Sequence, residues 1–215
     1  MASFQSPGGG ASPGGGGGSS SQGSAPAILP KSPLDLPLSS RRKEVSLSAF
    51  SLVFSELVQH QRARVESIND LEARLEASGR DVGARLGEAL AARERPGKRE
   101  TRLITMLQFV SGPCWRVLFG RAADSLERST ENEDEYLIHD RTPITNTYVS
   151  VPPDLGQLNC AAYIAGIVGG ILEASGFESR CSAHHLSVED GESAGAASER
   201  TVIVIRFLNL NERQR

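Results

Sequence analysis

Cys160, Cys181, His184 and His185 are the residues whose types and spacing could do chemistry: a thiolate–imidazole metal site, or a thiol nucleophile with a histidine base. A zinc site needs four donors converging on one point. Cys181, His184 and His185 lie in a stretch that reads as a strand, where Cys181 and His185 face one side and His184 the other, so the four do not converge. As a nucleophile, Cys160 would gain from a position near a helix start, where the dipole lowers a thiol pKa. Its neighbours Asn159, Ala161 and Ala162 instead describe a buried cysteine acting as a small hydrophobe. His60 and His139 stand apart from any carboxylate motif. No catalytic, metal or cofactor site is therefore expected.

The elements that would hold these residues are more telling. Leu155 to Leu172 carries no charge, and Cys160 to Leu172 is almost wholly apolar or glycine. At about 1.5 Å per residue that helix is ~20 Å long, short of the ~30 Å hydrocarbon slab, so it is expected in a protein core. Ala162, Gly166 and Gly170 form a stripe that another backbone could approach closely. Upstream, Glu44 to Arg64 reads as a helix with an unusually broad apolar arc: Val45, Leu47, Ala49, Phe50, Leu52, Val53, Phe54, Leu57 and Val58, leaving a polar strip of Ser48, Ser51, Ser55 and Gln59. A second helix has a single apolar face, Leu71, Leu75, Val82, Leu86 and Leu90. It opens at Ser67 with Asp70 three residues on and stops at Pro96 and Gly97. Gly79, Gly83 and Gly87 each weaken it by about 1 kcal/mol relative to Ala, so its stability must come from docking. A third helix begins near Glu100, its main face Leu103, Met106, Leu107, Val110, Cys114, Val117 and Leu118, with Ile104 and Trp115 spilling beyond it. Gly112 and Pro113 should kink it, Gly120 should end it, and a short helical turn from Ala123 to Arg128 should follow.

Then the period changes to two. Tyr136–Asp140, Thr145–Val151, Arg180–Val188 and Thr201–Leu208 read as strands, the last pair joined by a polar loop from Glu189 to Arg200. Helices followed by strands around one buried helix predict an α+β domain, a small antiparallel sheet of about four strands covered by about five helices. It should occupy residues 41–215 of the 215-residue chain, behind a Gly/Ser/Pro-rich tail over residues 1–40 too poor in bulky apolar groups to fold. The tail has no secretory leader pattern, its glycine runs lack the flanking strand and helix of a phosphate cradle, and three cysteines at unrelated spacings suit free thiols.

A net charge of −3 argues against general nucleic-acid binding. The basic cluster Arg93, Arg95, Lys98, Arg99 and Arg102 has no interleaved aromatics, so it suits a helix end, or else an anionic lipid or acidic partner. The broad arcs of the first and third helices are the physical argument for assembly, with Leu47, Phe50, Phe54, Leu57, Ile104 and Trp115 as candidate interface residues.

The segments EVSLSAFSLVFSELVQHQRARVESINDLEARLEASGRDVGAR, RETRLITMLQFVSGPCWRVLFGRAADSLE and EYLIHDRTPITNTYVSVPPDLGQLNCAAYIAGIVGGILEASGF closely resemble the small-subunit family of the TRAPP (transport protein particle) tethering complex, in particular its thirty-one kilodalton type. The likeness runs from about Arg41 to Phe177. It implies the family's helix-plus-sheet plait and a non-catalytic building block in an assembly that tethers vesicles between ER and Golgi and promotes nucleotide exchange on a Rab-type GTPase. Implied neighbours are the acylated founding-type subunit and a sedlin-like subunit, with the GTPase and the membrane reached only through the complex, on the cytoplasmic face of ER and cis-Golgi membranes. In the founder an acyl-bearing cysteine precedes an Arg-Glu-Thr; here Arg95, Pro96, Gly97 and Lys98 precede Arg99, Glu100 and Thr101, and no thiol is available. The rival reading is a binding module for a lipid or small molecule held between sheet and helices.

Overall fold

In a computed structural model, the residues described are 45–94, 100–152, 155–156, 158–188 and 198–208. The Gly-rich tail, the Pro96–Gly97 stop, Arg95, Lys98 and Arg99 of the basic cluster, and residues 189–197 of the polar loop lie outside them.

Helix α1 runs Leu47–Arg62, opened by Ser46, whose hydroxyl accepts from the Ala49 N–H at 3.3 Å. Helix α2 runs Ile68–Glu94. Ser67 Oγ accepts from the Asp70 N–H at 3.1 Å and donates to the Asp70 carboxylate at 2.7 Å, the expected cap with aspartate in place of glutamate. Helix α5, Ala162–Ala174, is the buried helix. It ends as expected: Gly176 takes φ 88° and the Phe177 N–H reaches back to the Leu172 carbonyl at 2.9 Å.

Helices α2 and α5 pack backbone to backbone. A Cβ on Gly79 would lie 2.1 Å from the Tyr163 carbonyl oxygen and one on Gly83 2.1 Å from that of Ile167. In return, one on Gly166 would meet the Glu76 carbonyl oxygen at 2.0 Å and one on Gly170 that of Arg80 at 2.2 Å. The close-approach stripe expected on α5 is therefore real, and its counterpart is the glycine series that weakens α2 in isolation. Arg80 seals the rim, bonding Glu76 at 2.7 Å and Glu173 at 3.0 Å.

The third helix is divided. Helix α3 is Leu103–Phe109, Val110–Cys114 form a π-helical turn containing Pro113, and helix α4 is Trp115–Phe119, closed by Gly120 at φ 78°. The Trp115 N–H bonds the Val110 and Gly112 carbonyls and skips that of Ser111, which accepts the Ala123 N–H at 2.9 Å. The helix defect thus ties down the chain that reverses after Gly120.

Strands β1 Ser125–Arg128, β2 Glu135–Asp140, β3 Ser179–Val188 and β4 Ser198–Phe207 make one antiparallel sheet in the order β1-β2-β4-β3. The strand count was right but one member differs from expectation. Residues 125–128, expected to be helical, form an edge strand with Leu126 opposite Ile138. Thr145–Val151, expected to be a strand, is not one. Both flanks of β2 are taken, and local bonds bind the segment into turns, among them Asn146 N–H and Thr147 Oγ1 to the Pro143 carbonyl. Its alternating pattern serves a loop that lays Val149 and Val151 on the core beneath α1 while Tyr148 stays exposed. β4 also starts earlier than expected, since Ser198–Arg200 already pair with β3.

The main core joins Leu107 and Val110, Ile164, Val168 and Leu172 of α5, and Ile138, Ile203 and Ile205 of the sheet. A second cluster joins Phe54 and Val58 of α1 to Leu71, Leu75, Leu158 and Ala162. No helix among the described residues is long and apolar enough to cross a membrane.

Candidate functional site

Cys160 is buried just before α5. Burial, helped by the nearby Glu72 carboxylate, pushes its thiol up to about 11, the reverse of the dipole effect a nucleophile would need. Cys181 is pushed up to about 12 by burial. His184 and His185 are exposed, His184 bonding Ser182 Oγ at 2.9 Å, so the structure leaves the four sequence candidates in different environments.

The candidate interface residues do not form one patch. Phe54 is 2% exposed, stacked 5.7 Å from Phe50 and tilted against Tyr163 at 5.4 Å. Leu57 and Phe50 pack against the same cluster, and Leu47 is half-buried. Trp115 is buried, donating through Nε1 to Asp140 at 3.2 Å and meeting Phe119 edge-on at 4.9 Å. Asp140, itself buried, also accepts from the Thr142 N–H at 3.0 Å and pairs with Arg121. Of the six, Ile104 alone is exposed, at 44%.

Among the described residues, exposed aliphatic side chains lie on the opposite face of α1. Leu52 is 74% exposed and Val53 72%, and with Ala49 they follow the 3.6 period down one side, while Val45, 76% exposed, lies just ahead of the Ser46 cap. Sequence reasoning saw both faces in one broad arc and favoured the aromatic side as the interface, whereas Phe54 of that side is buried within the fold. Phe50 and Phe54 offer the larger area to bury, and that area is what pulls their face inward. The aliphatic side is left over, and this asymmetry was the available signal.

The transport protein particle (TRAPP) component family matches residues 50–208. The chain is 42% identical over 178 residues to "Trafficking protein particle complex subunit 5" of Dictyostelium discoideum, covering 83% of this chain and 93% of that protein. It is 49% identical over 151 residues to the Homo sapiens protein of the same name, covering 70% and 80%. In fold it is similar to a solved structure of trafficking protein particle complex subunit 3 from Naegleria fowleri, covalently bound to palmitic acid, with TM-score 0.62 at 18% identity over 79% of this chain and 97% of that one. An apolar strip on a helix otherwise docked in the core and a four-stranded sheet under α5 are thus found in a chain matched over most of its length, and this chain belongs to the TRAPP component family.

Proposed function

We propose that this chain is a non-catalytic core subunit of a TRAPP vesicle-tethering complex, of the thirty-one kilodalton type, scaffolding an assembly that promotes nucleotide exchange on a Rab-type GTPase in ER-to-Golgi transport. Its partners in this reading are other subunits, the acylated founding-type and sedlin-like ones among them. GTPase and membrane are engaged through the complex, on the cytoplasmic face of ER and cis-Golgi membranes.

The observation that carries the reading is the aliphatic pair Leu52 and Val53, both more than 70% exposed on one side of a helix whose other side is anchored in the core, with Val45 exposed just ahead of its cap. A second chain laid along α1 would cover it. The buried thiols of Cys160 and Cys181 are pushed up by burial and so held protonated, which supports a structural role over a thiol enzyme. The rival reading, an apolar ligand between sheet and helices, has less in its favour, because that layer is filled by Leu107, Val168 and Leu172 against Ile138, Ile203 and Ile205.

The test is to isolate the tagged full chain from its own cells and identify companions by mass spectrometry, beside a Leu52→Glu, Val53→Glu variant. Wild type should bring down tethering subunits and the variant should lose one or more of them while keeping its melting temperature. Consistent isolation as a lone chain would overturn the proposal.

A further inference from the structure

Among the described residues, the sheet meets the helices on one face, where Ile138, Cys181, Ile203 and Ile205 join the main core. Leu137, Val202 and Val204 alternate with these and turn to the other face. There the registers set Leu137 opposite Val204, and place Val202 between His139 and His184. Val202 is 3% exposed yet belongs to neither hydrophobic cluster. On the same face His139 Nε2 and Arg200 Nε are shut off from water without a hydrogen-bond partner, His139 Nε2 standing 3.6 Å from the Glu127 carboxylate. Leu186, opposite Arg200, remains 47% exposed.

We infer that this outer face is the seat of the chain's own segment 34–38, laid across it with Leu34, Leu36 and Leu38 against Leu137, Val202 and Val204. Leu-Asp-Leu-Pro-Leu alternates as an extended chain does, so its three leucines share one side at intervals of about 7 Å. Val202 and Val204, two residues apart on β4, have the same spacing. Asp35 and Pro37 fall on the side turned away from the sheet. Proline spoils a ladder, but on the face of a sheet its missing N–H costs nothing. The carbonyls of the segment, which no ladder occupies, are acceptors for the Arg200 Nε–H.

Reach and composition favour this occupant. Residues 39–44 join Leu38 to Val45 and span up to about 25 Å, whereas a four-stranded sheet is about 15 Å across. The aliphatic residues of the N-terminal tail are gathered at Ile28, Leu29, Leu34, Leu36 and Leu38. The other segments outside the described residues have little to offer: 189–197 holds nothing apolar larger than alanine, and 209–215 a single leucine, Leu210. A tethered segment also acts at a millimolar effective concentration, so it outcompetes a free chain making the same small contact. The inference rests on the sheet face and does not require the tethering role.

The experiment uses the full-length chain with isotope-labelled leucine and valine methyl groups and a nitroxide attached at Asp35→Cys. Cys114, Cys160 and Cys181 are buried, so the label goes to the new thiol. The nitroxide should broaden the methyl signals of Leu137, Val202 and Val204 most and those of Leu75 and Leu90 least. Adding Leu34→Ser, Leu36→Ser and Leu38→Ser should abolish that pattern. Without the nitroxide, trypsin should cut the triple-serine chain at Lys31 and at Arg41 to Lys43, on either side of the segment, about tenfold faster than wild type, because cleavage follows the population of the released segment.

Broadening that is absent, uniform, or strongest at Leu52 and Val53 of α1 would overturn the inference. So would a pattern that survives the serine substitutions, or trypsin rates equal in the two chains. A mixture of nitroxide-bearing chain without isotopes and isotope-labelled chain without nitroxide should show no broadening. Its appearance would assign the face to the tail of a second copy and overturn the inference as well. Unchanged Leu75 and Leu90 methyl shifts in the triple-serine chain verify that the domain is folded; if they move, the nitroxide pattern in the chain with its leucines intact decides alone.

Discussion

Gly83 of α2 lies directly on the main chain of Ile167 in α5, so close that a methyl group on its Cα would sit 2.1 Å from the Ile167 carbonyl oxygen. The obstacle is backbone on a buried helix, which no rotamer change can move aside. Gly83→Ala should destabilise the protein by about 2–4 kcal/mol despite alanine's better helix propensity, and Gly166→Ala should do the same from the opposite side. Gly112→Ala, where a Cβ meets nothing within 4 Å, should stay within about 1 kcal/mol of wild type. Urea unfolding followed by circular dichroism measures all three.

The two faces of α1 should respond oppositely. Phe54→Ala empties a site bounded by Phe50 and Tyr163 and should cost about 3–5 kcal/mol by the same measurement. Leu52→Glu, at a side chain 74% exposed, should change stability by no more than about 0.5 kcal/mol while impairing assembly. A large loss of stability at Leu52 would show that the strip is part of the fold.

Asp140 gathers three donors, one from α4 and two from connecting segments: the Trp115 indole, the Arg121 guanidinium and the Thr142 N–H. Asp140→Ala strands the indole N–H and leaves Arg121 without its buried partner, at a cost of about 3 kcal/mol. Asp140→Asn retains an acceptor and should cost less. Trp115 fluorescence should shift in both variants, and an unshifted spectrum would argue that the indole bond is absent in solution.

Burial raises the Cys160 thiol to about 11 and the Cys181 thiol to about 12 from an ordinary 9.0. The folded state therefore holds these protons more tightly than the unfolded chain does. The stability they contribute is fully present below pH 9 and is lost as the pH climbs toward the folded values, at roughly 1 kcal/mol per pH unit for each thiol. Thermal melts between pH 8 and pH 11 should fall more steeply for wild type than for the Cys160→Ala, Cys181→Ala double variant, and parallel curves would contradict the burial of the thiols.

Much of this was legible beforehand because single-face periodicity and end signals are local. The leucine face of α2, the Ser67 cap, the Gly176 stop and the three longer strands all follow from residues within one or two turns of each other. What escaped depended on distant neighbours. Ser125–Arg128 is a strand only because β2 offers it an edge, and Thr145–Val151 is a loop because that edge is already taken. The glycines of α2 looked like a weakness until α5 supplied the surface they fit. The inward face of α1 was settled by competition between two apolar sides, which a helical wheel draws but cannot weigh.

Pro113 gives the third helix a further role. By widening one turn, the π segment leaves the Ser111 carbonyl free to hold Ala123, two residues ahead of the first strand. A flaw in one ladder becomes the starting peg of another, a tie between helix and sheet that adds to the Trp115–Asp140 bond. Repairing the helix would loosen the strand that depends on its imperfection.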